Sequence, residues 1–109
     1  MDARPDLMQR LMAINVEFSR RFPDHNEPFH IMTRLLEECG ELAEQVNHFE
    51  GTGVKRQKHG EPDKAKLAKE VLDVLHCTLQ IAQHYGVEQE LDAAIERSYQ
   101  HLKSDGFIQ

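Results

Sequence analysis

Met32-Thr33-Arg34-Leu35-Leu36-Glu37-Glu38-Cys39-Gly40-Glu41-Leu42-Ala43-Glu44-Gln45-Val46 is the stretch on which the fold reading turns. Met32, Leu35, Leu36, Cys39, Leu42, Ala43 and Val46 recur at steps of three and four, the period of one apolar stripe on an α-helix. The spacing predicts a helix from about Pro28 to Phe49, with Gly51 as its C-terminal cap. A second stretch reads the same way. Leu67, Ala68, Val71, Leu72, Leu75, Leu79 and Ala82 form a stripe over about Asp63 to Tyr85, closed by Gly86. Val74, Cys77 and Ile81 widen its apolar arc well beyond one face, as expected of a helix central in a bundle or held at a subunit interface.

Outward from these two, Leu7, Leu11, Ile14 and Phe18 predict a helix from about Pro5 to Arg21, and Pro5 suits a first turn. Phe22 to Pro28 holds two prolines and an Asp/Asn cluster, so it is a connector. Gly51 to Pro62 is a polar loop around Lys55-Arg56-Gln57-Lys58-His59, a basic run that reads as a solvated loop or as a loop contacting phosphate. Leu91, Ile95 and Leu102 predict a fourth helix from about Glu88 to Lys103, and the tail Gly106 to Gln109 is non-helical. No segment alternates with period two for long enough to build a sheet. The fold class is therefore all-α, a bundle of about four helices.

The 109 residues suffice for one domain and not for two, so residues 1–109 are read as a single domain. So small a domain buries a modest share of its surface, which favours completion by oligomerisation. An excess of 19 acidic over 13 basic residues, net charge −6, argues against a general nucleic-acid binder, which needs a basic face. A nucleotide substrate remains compatible, because a bound metal inverts local charge. No apolar run approaches a membrane span, and Met1 to Arg10 lacks the pattern of a signal peptide. Cys39 and Cys77 sit singly in apolar helical patterns and read as reduced core residues, which fits a cytoplasmic protein.

Two acidic clusters interrupt the apolar helices. Glu38 and Glu41 are three residues apart on one helix, and Glu70 and Asp73 on the next. Residues so spaced project from neighbouring points of one helical face, so each pair is a fork of oxygen ligands. If the helices pack antiparallel, the forks face each other. Hard cations such as Mg²⁺ and Mn²⁺ take oxygen ligands, and a divalent ion relieves the repulsion of crowded carboxylates. The alternative is a solvated outer face, since Glu41 and Asp73 point away from the centre of their stripes. Two details favour a site. Cys77 and Ile81 share the side of Glu70 and Asp73, so that side is expected to be covered. Gly40 sits mid-helix between Glu38 and Glu41 at a cost of roughly 1 kcal/mol relative to Ala, and its missing side chain admits a close approach.

The pattern Glu-Glu-x-x-Glu, a helix break, then Glu-x-x-Asp, carried by Glu37, Glu38, Glu41, Glu70 and Asp73, resembles the MazG-like family of all-α nucleoside triphosphate pyrophosphohydrolases. The resemblance covers Phe29 to Gly86 well and the flanks loosely. It implies that Glu38, Glu41, Glu70 and Asp73 hold Mg²⁺, with Mn²⁺ as the alternative. Glu37 is then a further ligand or the residue that orients the attacking water. The implied reaction is hydrolysis of a nucleoside triphosphate to monophosphate and pyrophosphate, in nucleotide-pool house-cleaning. Lys55, Arg56 and Lys58 become candidates for the leaving phosphates. The resemblance also implies a homo-oligomer, with a dimer as the unit and a tetramer as the whole. One departure bears on base and sugar selectivity. Many relatives place an Asn and a Lys late in the chain, whereas Glu96 to Lys103 contains no Asn and offers only Lys103.

Other residues were weighed against this reading. Asp73-Val74-Leu75-His76 gives one carboxylate–His pair, as in di-iron bundles, but no second such pair accompanies it. His76 reads as a partly buried or surface histidine and His48 as a helix-terminal one. Phe18, Phe22, Phe29 and Phe49 read as core, any one of them also able to stack on a base. There is no Gly-x-x-x-x-Gly-Lys loop and no nucleophile arrangement with supporting context. The rivals are a redox-metal bundle and a non-catalytic helical interaction module.

Overall fold

Capping groups set where each helix begins. The computed structural model describes residues 6–51 and 60–109. Asp6 accepts a hydrogen bond from Met8 N at 3.1 Å and starts α1, Leu7–Arg21. Pro5 lies outside the described residues. Pro28 occupies the first turn of α2, Pro28–Glu50, where its missing N–H costs nothing. Asp63 caps α3, Lys64–His84, by accepting from Ala65 N at 2.8 Å. Gly86, at φ +66°, ends α3: Gly86 N donates to Gln83 O and Val87 N to Ala82 O, so the last carbonyls are satisfied. α4, Glu88–Ser104, follows at once. The described residues hold these four helices and no strand, so the fold is all-α.

α3 is the central element. It packs on α2, α1 and α4, and among the described residues no other pair of helices makes a substantial contact. Arg34 meets Gln80, and His48 donates from Nε2 to Gly60 O at 2.7 Å, so α2 and α3 run antiparallel. Gln83 Nε2 donates to Met12 O near one end of α1, and the Phe18 ring meets His76 further along, so α1 is antiparallel to α3 as well. Asn15, buried on α1, donates to His76 O at 3.0 Å and to Gln83 Oε1 at 3.1 Å. These bonds give the α1–α3 contact its register without burying an unpaired polar group.

Among the described residues the apolar core is small: Ile31, Cys77, Leu79 and Ala82 are its buried members. Several expectations of burial are therefore corrected. Cys39 is exposed, as are Phe18, Phe22 and Phe29, the last at 87%. On α3 the C-terminal half, with Cys77, Leu79 and Ala82, is covered, whereas Val71, Leu72 and Leu75 of its N-terminal half stay open. The physical reason is that the packed helices cover the stripe of α3 over only part of its length. The radius of gyration is 17.2 Å, against about 13 Å for a compact chain of this length. The accessible surface is 8467 Å², against about 6,200 Å² for a folded monomer of this mass.

Ile31 is 1% exposed, so Ile31→Ala is expected to lower the unfolding free energy by about 2–5 kcal/mol. Asp63→Ala, which removes only a cap, is expected to cost about 1 kcal/mol. Urea denaturation at one fixed protein concentration checks both.

Candidate functional site

The antiparallel register of α2 and α3 brings the two acidic forks together. One carboxylate oxygen from each of Glu38, Glu41 and Glu70 lies within 4.8 Å of the others. Asp73, one turn along α3 from Glu70, adds its negative charge to both Glu38 and Glu70. Its Oδ2 accepts from Lys69 Nζ at 2.8 Å.

The cluster is electrostatically strained. Glu38 and Glu70 are half-buried, and Oε2 of each is buried with no hydrogen-bond partner. Partial burial, followed by the charges of Glu41, Asp73 and Glu70, pushes the Glu38 carboxyl up from 4.5 to about 7. Burial first and Glu41 second raise Glu70 as well. Three carboxylates brought this close, two of them with an orphaned oxygen, form a donor set suited to a hard divalent cation, which would answer both the missing partners and the repulsion.

Beside the cluster opens a cleft of about 430 Å³. Asn15 and Phe18 of α1 form one wall, and Arg34, Asp73, His76 and Gln80 line the others. The connector contributes Phe22, Asp24 and Asn26 to its rim. The Phe18 and Phe22 rings stand 6.5 Å apart, and Phe18 meets His76 edge-on at 6.2 Å. His76 Nδ1 is buried without a partner, and burial holds its pKa below the usual histidine value against the opposing charge of Asp73.

The structure brings oxygens of Glu38, Glu41 and Glu70 together; Asp73 stands outside that trio, its Oδ2 bonded to Lys69, and adds its charge. Glu37 is exposed and stands outside the trio of converging oxygens. Lys55, Arg56 and Lys58 lie outside the described residues. Lys103 sits on α4, 5.9 Å from the Tyr99 ring centroid, and is not among the residues that line the cleft. A Cβ on Gly40 would meet nothing within 4 Å, so within one chain no backbone makes the close approach that this glycine permits. His76 has no second carboxylate–His pair at the cluster, whose converging ligands among the described residues are all carboxylates. Lys69 was missed in the sequence, although its spacing of four from Asp73 is a detectable ion-pair signal. Arg34, Asn15, Asn26 and Gln80 were missed too, and only tertiary packing unites them.

With the geometry in place, comparison with known proteins adds one finding. The family model described as the MazG nucleotide pyrophosphohydrolase domain matches residues 26–103. That span contains α2, α3 and all of α4 but its last residue, and leaves out α1. No curated protein and no solved structure matches the chain.

A raised carboxyl pKa favours the proton-bearing native state. Its stabilising effect is full below 4.5 and is lost as pH rises through about 7. Without divalent ions, Glu38→Gln is therefore expected to gain in Tm over the parent chain between pH 4.5 and 7. Saturating Mg²⁺ or Mn²⁺ should shrink that gain. Thermal melts across the pH range read it directly, and a flat difference would contradict the strain described.

Proposed function

This chain belongs to the MazG nucleotide pyrophosphohydrolase family, and we propose that it hydrolyses nucleoside triphosphates to monophosphate and pyrophosphate with Mg²⁺, or Mn²⁺ in its place. The observation that carries the reading is the convergence of Glu38, Glu41 and Glu70 within 4.8 Å, with buried, unpaired oxygens on two of them. Asp73 completes the ligand set. A divalent ion held there supplies positive charge toward the phosphates and acidity toward water.

The chain's own groups account for the rest. The four carboxylates fix the charge balance of the site, so that it is complementary to a metal–phosphate complex and repels a bare triphosphate. Glu37, exposed beside the cluster, orients the attacking water or adds a ligand. Lys69, at 2.8 Å from Asp73, is a cation already held at the cleft, and a phosphate oxygen can share its three N–H donors. Lys55, Arg56 and Lys58 are proposed to meet the departing pyrophosphate. The cleft between α1, α2 and α3 takes the nucleoside.

The proposal includes one domain over residues 1–109 and a homo-oligomer, with a dimer as the unit and a tetramer as the whole. The excess surface and the exposed Phe22, Leu36 and Val71 support such an assembly. The net charge of −6 favours small nucleotides over nucleic acid. No helix among the described residues is long and apolar enough to cross a membrane. A cytoplasmic role in nucleotide-pool house-cleaning is part of the same reading.

Glu38→Gln, Glu70→Gln and Asp73→Asn are each expected to lower pyrophosphate release by about a hundredfold or more while the helical spectrum survives. The assay is pyrophosphate and monophosphate release from a panel of ribo- and deoxyribonucleoside triphosphates. Retained turnover in these variants would assign the acids a structural role only. Light scattering on a sizing column checks the assembly, and a monomeric mass would remove it from the proposal.

A further inference from the structure

A chain of polar side chains lines the cleft beyond the acids. Arg34 Nη1 donates to His25 O at 3.0 Å, and Nη2 donates to Gln80 Oε1 at 3.1 Å and Asn26 Oδ1 at 3.5 Å. Gln80 Nε2 donates to Asn26 Oδ1 at 3.2 Å, and Asn26 Nδ2 donates to Phe22 O at 2.8 Å. A guanidinium only donates, so both amides must turn their oxygens toward Arg34. The Phe22 carbonyl only accepts, which fixes Asn26 in the same sense. Each amide keeps a second N–H that none of these bonds uses, on residues that line the cleft.

Asn15, on α1, is fixed in the other sense. The His76 carbonyl only accepts, so Asn15 turns its amide nitrogen to it and to Gln83 Oε1. Gln83 is held in that orientation because its Nε2 donates to the Met12 carbonyl. Asn15 Oδ1 is left as an acceptor on the α1 side of the cleft. Gln80 stands about 10 Å along α3 from Asp73, the reach of one nucleoside from phosphates held at the acids.

Resting on the hydrolase reading of that same site, we infer that the cleft selects nucleobases presenting a carbonyl beside a ring N–H, as uracil and hypoxanthine do, over those presenting an exocyclic amine beside a bare ring nitrogen, as cytosine and adenine do. Gln80 and Asn26 donate to the carbonyl and Asn15 Oδ1 accepts from the ring N–H. An amine in the carbonyl's place meets donors and leaves two N–H groups facing each other. Arg34 is a positioning residue: it acts by holding the two amides in their donating orientation.

Isosteric pairs test this without size effects. Calorimetric titration of the full chain with UMP against CMP, and with IMP against AMP, in Mg²⁺, should give about tenfold tighter binding of UMP and IMP, roughly one hydrogen bond's worth. Gln80→Glu replaces the donor with an acceptor, and Gln80→Met removes it. Both should abolish the preference while the helical spectrum and the affinity for inorganic pyrophosphate persist. Equal or inverted preferences in the parent chain, an unchanged preference in both variants, or no binding of any of the four would overturn the inference. Turnover of triphosphates with no such preference defeats this inference alone. A Gln80-dependent preference without any pyrophosphate release defeats only the hydrolytic reading.

Discussion

Mutual repulsion among four carboxylates is the constraint on which the site depends. Two helices that carried Glu38, Glu41, Glu70 and Asp73 outward would avoid it. Instead the antiparallel α2–α3 pair turns them toward one another, leaves Glu38 Oε2 and Glu70 Oε2 buried without partners, and pushes Glu38 up to about 7. Strain of this kind is retained in a marginally stable fold where a ligand relieves it. The Lys69–Asp73 pair relieves part of it within the chain, at an exposed and therefore weakly held lysine.

The rest of the bundle serves to keep α3 in place between α2 and α1. Few apolar side chains do this, since the buried core is Ile31, Cys77, Leu79 and Ala82. Polar links supply the specificity. Asn15 and Gln83 fix α1 on α3, and Arg34, Gln80 and Asn26 tie the connector to α2 and α3. The connector includes His25 at φ +63°, a left-handed conformation that costs a non-glycine residue energy, and Arg34 holds its carbonyl. The same groups that build the fold therefore shape the cleft.

Much of this was legible in the sequence. The three- and four-residue steps of Leu35, Leu36, Cys39 and Leu42, and of Val71, Leu75, Leu79 and Ala82, gave the helices because a 3.6 period has no competing strand reading. The Glu38–Glu41 and Glu70–Asp73 spacings gave the forks because helical geometry maps spacing directly onto a face. Burial was less legible. Cys39 and Phe18 are apolar and in register, yet exposed, because periodicity says which face is apolar and not whether this chain alone covers it; Phe22 and Phe29 are exposed too. The Arg34–Gln80–Asn26 network was invisible, since its members are 8 to 54 residues apart and polar residues carry no periodic signal.

Whether the four acids form one divalent-cation site is read by calorimetric titration of metal-depleted protein with Mn²⁺, parent chain against Glu38→Gln and Asp73→Asn. Saturable binding is expected in the parent, weakened at least about tenfold in each variant and strengthened as pH rises toward 7, where Glu38 gives up its proton. Binding that is absent in the parent, or equal in all three proteins, would contradict it.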